Sequence, residues 1–207
     1  MQIQPCHFVG EAPAAAGAPR LRLVEGLDAV DRDRARLQAR AALRSCLAAE
    51  LGCAEAELEI SNLRNQPPQL RMHGQLLEAL HCSISHAPGL ALLAWHRGAA
   101  VGVDIQAVDG RMPRAELEAV ARLFLQPKVA QTLSGFAENA LFLEAFAQAW
   151  ARQEAQLKCA GLGLVEWSAG LQARLTGMSC ASLLLAQGHA AAVAWWPATD
   201  KEPVHRG

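Results

Sequence analysis

Two carboxylates and an amine stand where their spacing gives them chemistry to do. Asp104 interrupts the apolar run Val101-Gly102-Val103-Asp104-Ile105-Gln106, and Glu154 and Lys158 lie one helical turn apart in Trp150-Ala151-Arg152-Gln153-Glu154-Ala155-Gln156-Leu157-Lys158. An acid on a strand facing an acid on a helix can hold a divalent metal, and a nearby lysine suits phosphate. Together they point to magnesium-assisted phosphoryl chemistry. A carboxylate set among Val101, Val103 and Ile105 is costly to bury unless a cation or hydrogen bonds compensate. Plainer readings stand beside these. Asp104 also fits a strand-end cap for the following turn, and Glu154 with Lys158 fits an exposed i,i+4 ion pair of about 0.3–0.5 kcal/mol. Ser85-His86 precedes a Pro88-Gly89 turn, but no Gly-x-Ser-x-Gly elbow accompanies it, so a catalytic triad is weakly supported. The chain has no Walker or Rossmann fingerprint, and Gly161-Leu162-Gly163 reads as a helix end.

The elements that must position these groups follow from periodicity. Asp31 is the expected N-cap of a helix on which Leu37, Leu43, Leu47 and Leu51 recur and which Gly52 ends. Arg32, Arg34, Arg36, Arg40 and Arg44 decorate it, mostly as a solvated basic face from which one or two can reach a phosphate. Strands are expected at Leu58–Leu63, Cys82–His86, Leu90–Trp95 and Ala99–Gln106, with Arg97-Gly98 as a hairpin turn between the last two. Asn65-Gln66-Pro67-Pro68 reads as a turn, and residues 1–26 as irregular. After the turn-rich Asp109–Pro113, helices are expected at Ala115–Phe124, just after Pro127, and from Glu138 to Lys158, closed by Gly161. Strand-like runs follow at Leu171–Leu175, Cys180–Leu185 and His189–Trp196, and order is expected to end at Pro197. The expected fold class is α+β, with two similar lobes, each a small mostly antiparallel sheet packed with helices. The boundary falls near Asp109, which gives an N-terminal lobe of residues 1–109 and a C-terminal lobe of residues 110–207.

Composition narrows the partners. In 207 residues a hydrophobic fraction of 52% and a charged fraction of 19% describe an ordinary globular protein with room for a real core. A net charge of −1 argues against binding nucleic acid through broad basic charge. The longest apolar stretches are too interrupted to span a membrane, and no secretory signal is read in Met1–Gly10. Cys6, Cys46, Cys53, Cys82, Cys159 and Cys180 form no CxxC pair, which fits reduced thiols in a cytoplasmic protein.

Three segments, taken in order, carry a resemblance. Cys82-Ser83-Ile84-Ser85-His86-Ala87, Val101–Gln106 and Trp150–Leu164 resemble the core motifs of the 4′-phosphopantetheinyl transferase family, of the surfactin-synthetase-activating type. Those motifs are Asn-x-Ser-His, Gly-x-Asp-x-Glu and Trp-x-x-Lys-Glu-x-x-x-Lys. Leu43-Arg44-Ser45 and Ala121-Arg122-Leu123-Phe124 also fit, so the likeness spans about residues 31–196. It implies transfer of the phosphopantetheine arm of coenzyme A to a serine of an acyl or peptidyl carrier protein, with release of adenosine 3′,5′-bisphosphate. By matched position, Asp104 and Glu154 would hold magnesium, with Gln106 able to coordinate through its amide oxygen, and Glu154 or a metal-bound water would take the serine proton. Lys158 would pair with the pyrophosphate, Ser85 and His86 would contact coenzyme A, and Arg44 would lie near its 3′-phosphate. The resemblance further implies two similar lobes with coenzyme A in the cleft between them, and a monomer.

The chain departs from the family pattern at four places. Gln106 replaces a metal-binding Glu, Gln153 a Lys, Ser83 the Asn of the histidine motif, and Gln66-Pro67-Pro68 a Gly-Lys-Pro. These losses keep a second reading open, a non-catalytic module that binds coenzyme A or a carrier protein. A magnesium-dependent phosphohydrolase fits the motif order poorly. An acidic helical carrier would dock near Leu123-Phe124-Leu125, unless Phe124 is simply core.

Overall fold

The computed structural model describes residues 1–9, 17–63, 66–185 and 188–197. The fold is α+β. Eleven strands are described: β1 Gln2–Pro5, β2 His7–Phe8, β3 Arg20–Glu25, β4 Leu58–Ile60, β5 Leu70–Met72, β6 Gln75–Leu76, β7 Leu80–Ala87, β8 Leu90–Arg97, β9 Val101–Ala107, β10 Ser179–Leu184 and β11 His189–Trp195. The helices are α1 Arg32–Leu51, α2 Arg114–Phe124, α3 Pro127–Ser134, α4 Asn139–Cys159 and α5 Ala169–Leu175. The first sheet runs β1-β3-β8-β7 and the second β2-β10-β11-β9; β4-β5-β6 form a small third sheet, and every pairing is antiparallel.

Strand alternation stacks the molecule into layers. Leu21, Leu23, Leu92 and Ala94 of the first sheet pack against Val101, Val103, Ile105, Ala191, Val193 and Trp195 of the second. The opposite face of the first sheet, with Val24, Leu93 and Trp95, receives Ala39, Leu43 and Leu47 of α1. The opposite face of the second sheet, with Ala192 and Ala194, receives Ala151, Ala155 and Cys159 of α4. The order is therefore helix, sheet, sheet, helix. Each fully buried leucine on α1 contributes roughly 1.5–3 kcal/mol of burial.

α1 begins where expected: the Asp31 carboxylate accepts from the backbone N–H groups of Asp33 and Arg34, and Gly52 ends the helix at φ +69°. Leu37, however, is exposed, and Ala35, Ala39 and Ala42 complete the buried face. α4 closes as expected, with Gly161 at φ +67° and the Leu162 N–H bonded to the Leu157 carbonyl.

Three sequence expectations are corrected. The described part of residues 1–26 is not irregular: β1, β2 and β3 form there, because Arg20-Leu21-Arg22-Leu23 alternates and β3 pairs with both β1 and β8. Arg97-Gly98 is a turn but not a hairpin turn. β8 pairs with β3 and β7, whereas β9 pairs with β11, so the chain leaves one sheet there and enters the other. Leu171–Leu175 is helix α5 rather than strand. Ser168 caps it by accepting from the Leu171 N–H, and Leu171 and Leu175 bury one face at i,i+4. Asn65 and the residues after Pro197 lie outside the described residues. The second sheet draws on both sides of residue 109, since β2 and β9 precede it and β10 and β11 follow it.

Candidate functional site

β9 is the end strand of the second sheet, and β7 is the end strand of the first. Val101, Val103 and Ile105 point between the sheets, so Gly102 and Asp104 fall on the face that receives α4. Gly102 matters because α4 passes over it at backbone contact. A Cβ built there would stand 2.1 Å from the Ala155 carbonyl oxygen and 2.4 Å from the Cys159 nitrogen. The small residues Ala151, Ala155 and Cys159, spaced four apart, are what let the helix approach so closely. The neighbouring stripe, Trp150, Glu154 and Lys158, is thereby carried toward Asp104. Trp150 anchors it, stacking on Phe146 and meeting Phe124 edge-on, each with ring centroids 5.9 Å apart.

Asp104 is 3% exposed and fully engaged by its own chain. Its Oδ1 accepts from the Ser85 hydroxyl at 2.8 Å and from the Lys158 ammonium at 2.6 Å, and its Oδ2 accepts from the Gln106 amide at 2.5 Å. The ion pair Lys158 makes is thus with Asp104 across the strand–helix junction. Glu154 is half-buried. Burial, and then the Asp104 charge, raise its pKa, while Lys158 opposes the shift. Two acids near enough to feel one another, one of them buried, are the environment a hard cation relieves. Among the described residues no three His, Cys, Asp or Glu converge. Magnesium is commonly held by one or two carboxylates together with substrate phosphates, so this oxygen donor set fits it.

A seam of hydroxyls joins the two sheets. Ser83 and Ser85, both buried on β7, accept from the backbone N–H groups of Val103 at 3.1 Å and Ile105 at 3.3 Å. They satisfy donors that the edge of β9 would otherwise bury unpaired. The Ser85 hydroxyl serves twice, fixing the strand and donating to Asp104. The alternation Cys82-Ser83-Ile84-Ser85 shows that both serines share a face of β7, but not that the second sheet's edge lies against it.

His86 follows on the same strand. Its Nε2 is buried without a hydrogen-bond partner, and its pKa is lowered to about 4 by burial and then by Arg40, Arg36, Lys158 and Arg32. Arg32, Arg36 and Arg40 recur every four residues along α1, so this part of the arginine stripe turns toward the site. Arg34 instead pairs with Asp28 at 3.8 Å. Arg44 lies farther along the helix, 3.8 Å from Glu55, and its Nε has no hydrogen-bond partner. A cleft of about 360 Å³ opens beside Lys158, lined by Pro67, Pro68, Leu80, His81, Val101 and Gly161 among others. Of the suggested docking residues Leu123 is exposed, Leu125 is buried and Phe124 packs on Trp150.

Residues 100–205 match the model of the 4′-phosphopantetheinyl transferase superfamily. The chain belongs to this superfamily. The match spans β9, α2 to α5, β10 and β11, and so takes in Asp104, Glu154 and Lys158. No curated protein matches the chain. As a superfamily member it is a phosphopantetheine transferase in kind, and among its described residues no helix is long and apolar enough to cross a membrane.

Proposed function

We propose that this transferase is of the surfactin-synthetase-activating type and moves the phosphopantetheine arm of coenzyme A onto a serine of an acyl or peptidyl carrier protein. In that reaction the serine oxygen attacks the β-phosphorus, the phosphoanhydride bond breaks, adenosine 3′,5′-bisphosphate leaves, and the serine proton passes to a base. The observation that carries the reading is Lys158 bonded to Asp104, with Glu154 close enough to feel both charges and Arg32, Arg36 and Arg40 of α1 acting with Lys158 on His86.

Asp104 and Glu154 would hold magnesium, with Gln106 able to offer its amide oxygen once turned. Bound there, the metal supplies charge neutralisation on the pyrophosphate as the phosphorus is attacked. Glu154, whose burial and acidic neighbour raise its proton affinity, is suited to take the serine proton. Lys158 would draw the pyrophosphate toward it. His86, Arg36 and Arg40 would bind further phosphate oxygens, with Arg44 reaching the 3′-phosphate and Ser85 orienting Asp104. The division into lobes of residues 1–109 and 110–207 is part of the same proposal, with the first lobe lending β2 and β9 to the second sheet and coenzyme A along the β7–β9 seam where the two sheets meet. The protein would act as a cytoplasmic monomer.

One observation favours a second reading, a binding module without turnover. Both Asp104 oxygens are already engaged, by Ser85 and Lys158 on one side and Gln106 on the other. Intact-mass spectrometry of an apo carrier protein incubated with the chain and coenzyme A, with and without magnesium, separates the two. A magnesium-dependent gain of one phosphopantetheine, abolished in folded Asp104→Ala and Glu154→Ala variants, is the expected result. Coenzyme A binding without any gain across several carriers would install the binding module instead.

A further inference from the structure

The ammonium of Lys158 has three N–H groups and finds three oxygens: Asp104 Oδ1 at 2.6 Å, Ser85 Oγ at 3.3 Å and the Val103 carbonyl at 3.3 Å. It is cradled on the strand, as the sole ion-pair partner of Asp104 among the described residues. The same lysine is the one that, under the function proposed above, serves the pyrophosphate, and the same carboxylate is the one that serves the metal. Both duties cannot be met while the two hold each other.

We propose that Lys158 is an exchangeable internal counter-ion that makes the site take a divalent cation and a phosphate ester together and neither one well alone. A cation arriving by itself must dislodge a cradled ammonium whose one remaining neighbouring carboxylate, Glu154, the cation also claims. A phosphate arriving by itself must draw the ammonium away and leave Asp104, almost wholly buried, without a positive partner, which is strongly unfavourable. When both arrive, the cation replaces the ammonium on Asp104 and the ammonium moves to the phosphate, so no charge is left unpaired. The two affinities are therefore coupled through a side chain of the protein, and the coupling is reciprocal. The inference rests on the reading of the site as one for magnesium and coenzyme A, and it adds that the two fill that site together.

The test is equilibrium Mn²⁺ binding, followed by electron paramagnetic resonance, with and without coenzyme A and without any carrier protein. In the parent protein, Mn²⁺ is expected to bind about tenfold or more tightly when coenzyme A is present. Lys158→Gln is expected to bind Mn²⁺ in the absence of coenzyme A about tenfold more tightly than the parent, and to gain less from adding coenzyme A. Arg34→Gln removes a charge from the same helix that pairs with Asp28 and does not touch Asp104, and should leave the coenzyme-free affinity within about threefold of the parent. Should Lys158→Gln fail to fold, Ser85→Ala removes one of the three ammonium acceptors and should raise coenzyme-free binding in the same direction. An unchanged coenzyme-free affinity in Lys158→Gln, with coenzyme-dependent Mn²⁺ binding intact in the parent, would overturn the exchange while leaving the proposed function standing. Absence of Mn²⁺ binding in every protein, with or without coenzyme A, would overturn both.

Discussion

Gly102 is the position at which the packing of α4 on β9 can be tested with one methyl group. Its backbone φ is not the constraint; the space above it is. An alanine Cβ would stand 2.1 Å from the Ala155 carbonyl oxygen, 2.4 Å from the Cys159 nitrogen and 3.1 Å from the Cys159 Cα. All three obstacles are backbone, so no rotamer change relieves them. To reach the 3.4 Å at which ordinary contact begins, the helix must retreat by about 1.3 Å. Overpacking of this kind costs typically 1–3 kcal/mol, and obstacles that are all helix backbone put Gly102→Ala at ~3 kcal/mol or more. For a chain of this size that lowers Tm by roughly 6–12 °C. The same retreat carries Glu154 and Lys158 away from Asp104, and a misplacement of ~1 Å at a reacting centre costs on the order of 100-fold in rate. Thermal unfolding gives the first quantity, and holo-carrier formation by intact mass at a temperature where the variant is folded gives the second. An alanine variant that melts with the parent and transfers at the parental rate would refute the close approach and the role assigned to this glycine.

Other outcomes follow from the site's charges. His86 protonates near pH 4 when folded but near 6.5 when its surroundings are lost, so the unfolded chain takes up the proton first as pH falls. Its contribution is neutral above pH 6.5 and destabilises progressively between about 6.5 and 4, by up to ~3 kcal/mol, since each pKa unit is worth about 1.4 kcal/mol. His86→Gln should therefore flatten the urea-unfolding stability between those pH values and leave it nearly unchanged at pH 8; a parental slope in the variant would count against the buried, cation-ringed histidine. Gln106→Glu places a third carboxylate beside Asp104 Oδ2. It should lower stability in chelator by about 1 kcal/mol or more, and with it Tm, and raise Tm again with Mn²⁺; a variant whose Tm ignores the metal would argue that residue 106 is remote from the cation.

Local chemistry made much of the frame readable in advance. Asp31 and Gly52 bound α1 because a carboxylate cap and a left-handed glycine act within a few residues of themselves. The alternation in Val101–Gln106 likewise set Asp104 on the face opposite Val103 and Ile105. The failures lie where partners are distant or periods compete. Arg97-Gly98 has turn chemistry, and nothing in it says that β9 will join β11, nearly a hundred residues on, rather than β8. Leu171-Gln172-Ala173-Arg174-Leu175 is short enough for either period, and the signal that distinguishes them is the cap at Ser168. At the N-terminus, the short alternation of Arg20-Leu21-Arg22-Leu23 is masked by the Ala/Gly/Pro-rich stretch before it.

The site itself divides along the same line. The acids and the lysine were recognisable by type and spacing, but their partners were not, because β7 and α4 converge on β9 from distant parts of the chain. Spacing on the helix paired Glu154 with Lys158, since they are neighbours in one turn. The fold pairs Lys158 with Asp104 instead, because Gly102 and the Ala151-Ala155-Cys159 stripe bring helix and strand to backbone contact. The serines at 83 and 85 then do what an amide and a hydroxyl of the family pattern need not do identically: they bond the β9 edge directly, and Ser85 passes that constraint to the carboxylate. Asp104 is thus held by the first sheet through Ser85, by its own strand through Gln106, and by α4 through Lys158. Of these three restraints only the lysine is a charge that a phosphate can draw away. The residue that completes the resting site is therefore also the one through which ligands can open it.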